Sequence, residues 1–215
     1  MIDVKIFEVN PLQENCYVVS DDTRECVVID CGAYFDAERK AIVNYLHEHQ
    51  LRPVHLLCTH GHFDHNFGND TIYAEYGIKP EIHADDASLI ADLALQCEQM
   101  GMGSCFNCVS PPLGTPLADS NLIGFGNHQL KVIHTPGHSP GGVLFYCQEE
   151  NIVFTGDTLF RMSVGRTDLP GGSWADLIRS LQTKVASLPA DTVAYPGHGP
   201  KTLIADECKM NPYFR

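Results

Sequence analysis

Thr59-His60-Gly61-His62-Phe63-Asp64-His65 places three imidazoles and a carboxylate within six residues, directly after the apolar run Val54-His55-Leu56-Leu57-Cys58. Imidazole nitrogen and carboxylate oxygen suit a borderline divalent cation such as zinc. Gathered at a strand end without a cation, these groups would be costly to bury. The stretch therefore reads as a metal site. Further donors are expected from other loops, with one coordination position left open for water.

Three segments supply such donors. His138 lies in Thr135-Pro136-Gly137-His138-Ser139-Pro140-Gly141, after the apolar stretch Leu130 to Ile133. Asp157 ends Ile152-Val153-Phe154-Thr155-Gly156-Asp157, and His198 sits in Tyr195-Pro196-Gly197-His198-Gly199-Pro200 after Thr192-Val193-Ala194. Each time a short apolar strand runs into a Gly/Pro turn that carries one metal-type donor. Four repetitions of one pattern are hard to assign to chance.

The HxHxDH spacing, followed by single His, Asp and His residues after strands, resembles the metallo-β-lactamase superfamily over essentially the whole chain. Within it, the chain is similar to short glyoxalase II-like (hydroxyacylglutathione hydrolase-like) enzymes that lack the helical C-terminal domain. Further matches are Asn10-Pro11-Leu12-Gln13-Glu14-Asn15-Cys16-Tyr17, Gly156-Asp157-Thr158-Leu159-Phe160, Gly165-Arg166-Thr167-Asp168 and Gly197-His198-Gly199-Pro200-Lys201-Thr202. The resemblance implies an α/β fold, a four-layer αβ/βα sandwich, over residues 1–215 as a single domain. It places the metals at one sheet edge.

The resemblance also implies a ligand set. His60, His62 and His138 would hold one ion, Asp64, His65 and His198 the second, and Asp157 would bridge them. Two divalent ions follow, zinc first, with iron or manganese as alternatives because these donors accept all three. The implied chemistry is attack of a metal-bridged hydroxide on a carbonyl carbon, with no Ser or Cys nucleophile. Asp64 would orient that hydroxide and is the candidate to pass a proton to the leaving group. The expected substrate is a small-molecule ester or thioester, with an S-acylglutathione such as lactoylglutathione foremost.

Substrate recognition departs from the glyoxalase II pattern. Gly165-Arg166-Thr167-Asp168 supplies a basic counterpart, Arg166, but not the aromatic residues of that loop, and no separate helical domain is expected before Arg215. Arg161 and Arg166 are candidates to receive an anionic substrate, with a surface salt bridge as the competing account. A second enzyme class shares the fold: persulfide dioxygenases, which use one iron held by two histidines and an aspartate. Flavodiiron-type carriers replace the second motif histidine with Glu, whereas this chain has His62. A tRNA-processing phosphodiesterase would need a basic exosite arm that is not visible, and a binding module would need a closed coordination shell.

Composition bounds the partners. The formal net charge of −13 over 215 residues, without a Lys/Arg stripe, argues against nucleic acid. Met1 to Val9 alternates as a strand does and lacks the basic start and long apolar core of a signal peptide. No run is long enough to span a bilayer, so the expectation is a cytoplasmic protein away from membranes. Oligomeric state is not legible. Nine cysteines, an odd number scattered through strands, fit reduced buried thiols better than a disulfide framework. Cys105-Phe106-Asn107-Cys108, with Cys97 upstream, could bind zinc or cycle redox states, but a fourth donor is missing and a cysteine-rich insertion is the favoured reading.

Patterning predicts strands at Asp3 to Val9, Cys16 to Ser20, Cys26 to Ile29, Val54 to Cys58, Leu130 to Ile133, Val143 to Cys147, Ile152 to Phe154 and Thr192 to Tyr195. Helices are predicted at Phe35 to Gln50, Asp85 to Gln99 and Ser173 to Leu188. Leu89, Ile90, Leu93 and Leu95 are expected in the core, as are Trp174, Leu177, Ile178, Leu181, Val185 and Leu188. Ser173 and Asp176 form an S-x-x-D cap. Gly101 to Asn121 reads as a long loop near the site. Asp30 could orient a metal-bound histidine or cap a turn. His55 is expected as a satisfied strand histidine, and His47, His49, His83, His128 and His134 as structural or exposed.

Overall fold

The structure, a computed structural model, describes residues 1–101 and 109–214. One sheet has five strands in the order β1-β2-β3-β4-β5: β1 Asp3–Val9, β2 Glu14–Ser20, β3 Glu25–Ile29, β4 Arg52–Leu57 and β5 Pro80–Glu81. β1, β2 and β3 pair antiparallel, and β3, β4 and β5 pair parallel. Helix α1 (Asp36–Glu48) makes the crossover from β3 to β4, and α2 (Asn69–Tyr76) lies between β4 and β5. The other sheet has six strands, β6 Leu122–Phe125, β7 His128–His134, β8 Val143–Cys147, β9 Ile152–Gly156, β10 Val193–Pro196 and β11 Thr202–Leu203, in the order β11-β10-β9-β8-β7-β6. Only the β9/β10 pair among these is parallel, and it is bridged by a segment containing α5 (Trp174–Ser180).

The apolar runs are explained by two buried faces. Along β2 and β3, Tyr17, Val19, Val27 and Ile29 face a central core, whereas Cys16, Val18, Cys26 and Val28 join Ile42 and Leu46 of α1 in an outer one. Across the central core, Val143, Phe145, Ile152 and Phe154 meet them from β8 and β9. Leu144 and Val153 point the other way, onto Leu177, Leu181, Val185 and Ile204. Side chains alternate across a strand, so each sheet shows one face to its partner sheet and one to helices. The result is helix, sheet, sheet, helix, the mixed α/β sandwich expected.

The eight predicted strands are all present. Three short ones were not predicted: β5 and β11 span two residues each, and β6 carries Gly124 and exposed Leu122. The predicted helix at 85–99 is broken. A 3-10 turn at Ala84–Asp86 leads into α3 (Ala87–Ile90), and α4 (Leu93–Gln99) starts afresh because the Asp92 carboxyl accepts the Leu95 N–H and caps it. Ile90 and Leu93 are buried, but Leu95 is exposed. Ser173 caps α5 by accepting the Asp176 N–H, as the S-x-x-D pattern requires. Trp174 is half-exposed rather than core, its ring set edge-on to Tyr213.

Cys16, Cys26, Cys31, Cys58, Cys97 and Cys147 are buried; Cys105 and Cys108 lie outside the described residues. Among the described residues, no helix is long and apolar enough to cross a membrane.

One buried side chain locks the metal-donor loops together. The Asp86 carboxyl accepts the Gly61 N–H (2.9 Å), the Ser139 hydroxyl (2.7 Å) and the Gly141 N–H (2.6 Å). It thereby ties the segment holding His60 and His62 to the loop holding His138. A Cβ on Gly141 would come within 2.7 Å of the Asp86 backbone nitrogen, so the approach needs glycine. Above this joint the His83 and His134 rings stack at 4.2 Å, and His134 Nε2–H donates to the Pro140 carbonyl. Asp86→Ala leaves three buried donors unpaired and should cost about 2–4 kcal/mol. A thermal melt should then fall by roughly 4–16 °C for a chain of this size. A drop under about one degree would remove the joint from the stability argument.

Candidate metal centre

The β4 strand ends at Leu57, and the chain then turns through His60 and His62 into a short 3-10 turn, Phe63–His65. His138 sits in the β7–β8 loop, Asp157 directly after β9, and His198 directly after β10. All these strand ends open on the same edge of the sandwich. The ligand-type atoms of His60, His62 and His138 lie within 4.8 Å of one another, and so do those of Asp64, His65 and His198. His62 Nδ1 and His60 Nε2 approach His138 Nε2 to 2.8 and 3.3 Å. His198 Nε2 lies 3.3 Å from Asp64 Oδ2.

Asp157 stands between the two groups. Its Oδ1 is 3.3 Å from His65 Nε2, and its Oδ2 is 3.5 Å from His138 Nε2 and 3.8 Å from His198 Nε2. The space it needs is made by Gly197, where a Cβ would come within 2.4 Å of Asp157 Oδ1 and 2.6 Å of His65 Cε1. Gly156, at φ +46°, turns the chain into Asp157 with its α-carbon against Thr59.

Four rings have their second nitrogen committed to an acceptor. His138 Nδ1–H donates to the Arg166 carbonyl (2.7 Å), His65 Nδ1–H to Asp30 Oδ2 (3.0 Å), and His198 Nδ1–H to the Leu12 carbonyl (3.0 Å). Thr59 donates its hydroxyl to Asp30 (2.6 Å), so its oxygen accepts from His60 Nδ1–H (3.0 Å). In each case the Nδ1 proton points away from the centre and Nε2 faces in, the orientation metal-binding histidines adopt. Of the two readings open for Asp30, orienting a ring is what its contacts do. It lies near His60 and His65, but its oxygens are taken by the Thr59 N–H, the Thr59 hydroxyl and His65.

These donors fit a cation. His65 Nε2 and Asp157 Oδ1 are buried and, although 3.3 Å apart, make no hydrogen bond to each other or to another group among the described residues. Burial pushes His60 well below its ordinary range and His62 down to about 4, each helped by neighbouring imidazoles. Burial also opposes charge on Asp157, yet His65, His138 and His60 hold it well below the usual carboxylate range. Asp64 is lowered likewise, by His65 and His198 against burial. His65 is raised well above 6.5 because Asp157 and Asp64 outweigh its burial. A proton on His65 and a divalent cation meet the same demand for positive charge.

The Asn10 to Tyr17 motif proves to be bracing. Asn10 Nδ2 donates to the carbonyls of Asp64 and Gly32, and Asn15 Nδ2 to those of Pro196 and Gly199. Tyr17 donates its hydroxyl to the Pro196 carbonyl at 2.6 Å. Glu14 is fully buried 3.9 Å from His65 Nδ1, and burial raises its carboxyl well above the ordinary range. Sequence reading missed the roles of Asn10, Asn15, Thr59 and Asp86. Buried Asn within a turn motif was the available signal for the first two.

Arg166 and Asp168 form an exposed two-pronged pair, Nε to Oδ1 at 2.7 Å and Nη2 to Oδ2 at 2.6 Å, the surface salt bridge set against anion binding above. Arg161 is exposed. His55 is satisfied by Glu81 at 2.6 Å, His128 by Asp21 and Glu150, and His47 faces Glu75. His83, Asp85 and His134 also gather ligand-type atoms, but their rings are parallel to within 8°, so the two rings' lone pairs do not converge.

Residues 9–198 match the family model of the metallo-beta-lactamase superfamily. The chain is 31% identical to hydroxyacylglutathione hydrolase GloC of Haemophilus influenzae, covering 99% of this chain and 98% of that one. Among solved structures, the BLEG-1 B3 metallo-beta-lactamase superposes with a TM-score of 0.89 at 36% identity, covering 99% of each chain. TTHA1623 in a di-iron-bound form superposes with a TM-score of 0.85 at 36% identity, covering 98% of this chain and 100% of that one. With its two-sheet sandwich and His/Asp donor groups at one edge, this chain belongs to the metallo-beta-lactamase superfamily.

Proposed function

We propose that this protein is a two-metal hydrolase of thioesters, with S-acylglutathiones such as lactoylglutathione as the substrate class. The observation that carries this reading is the placement of Asp157, whose two oxygens face the His60/His62/His138 group on one side and the Asp64/His65/His198 group on the other. Likeness to GloC supports the substrate class, and the di-iron form of TTHA1623 supports occupancy by two ions, zinc or iron. Divalent ions bound there would bring the pKa of a water near neutrality and polarise a carbonyl oxygen.

The chain's own residues set the rest. Asp64, held ionised beside His65 and His198, is placed to orient an attacking water and to accept its proton. Water adds oxygen to the acyl carbon, the C–S bond breaks, and sulfur leaves with the electron pair. A thiol ionises near pH 8.5, so its thiolate departs without a strong protein acid. This suits thioesters better than alkyl esters, because an alkoxide is far more basic than a thiolate and would need a proton delivered as it leaves. Arg166 is the proposed contact for a substrate carboxylate, which would exchange for Asp168 on the guanidinium.

Metal analysis of purified protein with turnover of lactoylglutathione, with and without chelator, tests the reading. About two ions per chain and loss of turnover on chelation are expected. Asp157→Ala should lower metal content and abolish hydrolysis. Full activity with half the metal would force a one-metal mechanism, and oxygen uptake with glutathione persulfide would favour the dioxygenase. Arg166→Ala should raise KM for S-acylglutathiones more than it lowers kcat, and Asp168→Ala should lower KM. An unchanged KM in both removes Arg166 from binding.

Proton competition adds a pH signature. His65 and His198 have pKa values raised above 6.5, so protons leave them only as pH climbs past that value. Zinc affinity should therefore still be rising between about pH 6.5 and 8, by roughly tenfold per unit for each proton displaced. Zinc competition titrations that level off at about pH 6.5 would contradict the assignment of these two rings as ligands.

A further inference from the structure

Beside His62 lies a hollow of about 330 Å³. Its walls are His62 and Phe63 from the metal-donor turn, Leu89 and Met100 from the α3–α4 segment, and Leu169 and Pro170 from the loop after Asp157. Gln96 and Gln99 also line it; the Gln96 amide is committed, with Oε1 accepting the Phe63 N–H and Nε2 donating to the carbonyls of Gly61 and Leu89. Among the described residues, no Lys, Arg, Asp or Glu lines the space. The lining is therefore uncharged and mostly apolar, next to a ring that belongs to the metal-donor set.

The two ends of an S-acylglutathione differ in chemistry. The thiol end carries carboxylates and an ammonium group, which need charged or hydrogen-bonding partners. This hollow offers neither in number. The acyl end is carbon-rich and must lie next to the metal-donor groups, because its carbonyl is the reacting centre. The loop from Arg166 to Pro170 separates these demands: the guanidinium is turned to solvent on Asp168, whereas Leu169 and Pro170 face the hollow.

We infer that the hollow beside His62 is the acyl subsite, and that the protein prefers thioesters whose acyl group is an apolar chain of several carbons over acetyl or lactoyl. This rests on the thioesterase reading. Burying a methylene in such a lining raises kcat/KM by up to about fourfold.

The test uses the metal-loaded full chain, with S-acylglutathiones from acetyl to hexanoyl for turnover and sodium acetate and hexanoate for binding by calorimetry. Expected is a twofold to fourfold rise in kcat/KM for each methylene, roughly, with hexanoate bound more tightly than acetate. Leu169→Ser and Met100→Gln, both on accessible segments, should bring the hexanoyl-to-acetyl ratio toward one. A flat turnover series with equal carboxylate binding overturns the subsite while leaving the hydrolase reading intact. No thioester turnover together with tighter hexanoate binding overturns the hydrolase reading and supports the subsite.

Discussion

A neutral imidazole has one nitrogen that gives a proton and one that offers a lone pair, and the centre depends on which way each ring is turned. Four rings here have that choice made by an acceptor outside the cluster: Thr59, Asp30, the Arg166 carbonyl and the Leu12 carbonyl. These acceptors belong to four different parts of the chain. Holding them in place is what the two packed sheets do, since the donor loops all leave the same edge and Asp86, Asn10 and Asn15 pin them to one another.

The donor-type residues that the structure gathers at one edge were legible because they are uncommon residues at strand ends, and a Gly/Pro turn after an apolar run marks such ends. The strands were legible for a related reason: a run such as Val143 to Cys147 is apolar at every position because both faces are covered. What stayed hidden leaves no side-chain trace. The carbonyls of Arg166 and Leu12 could come from any residue, and Asp86 follows another aspartate at what reads as a helix start. Helix 85–99 failed because one internal residue, Asp92, restarts the backbone hydrogen bonding, which periodicity does not see. Leu95 and Trp174 sit at apolar positions of the pattern yet are exposed, so amphipathic spacing overstates the core.

The loop from Gly165 to Pro170 shows how one short segment serves several ends. Its glycine leaves room against the Asp157 carbonyl and the His138 ring, its next carbonyl takes the His138 proton, and its tip pairs two opposite charges. A change of side chain at Arg166 leaves the carbonyl in place, so ring orientation and surface charge can vary independently at one position. Backbone acceptors make that separation possible.

The bracing of the β10 end by the start of β2 carries a consequence for assembly of the molecule. Asn15 reaches the Gly199 carbonyl across 184 residues, and Glu14 forms a bridge with His198. Contacts this distant in sequence are slow to form, because a large loop must close before they contribute. In chain order His60, His62, Asp64 and His65 come early and His198 last, so the gathering of donors at this edge is complete only when the β10 end has docked.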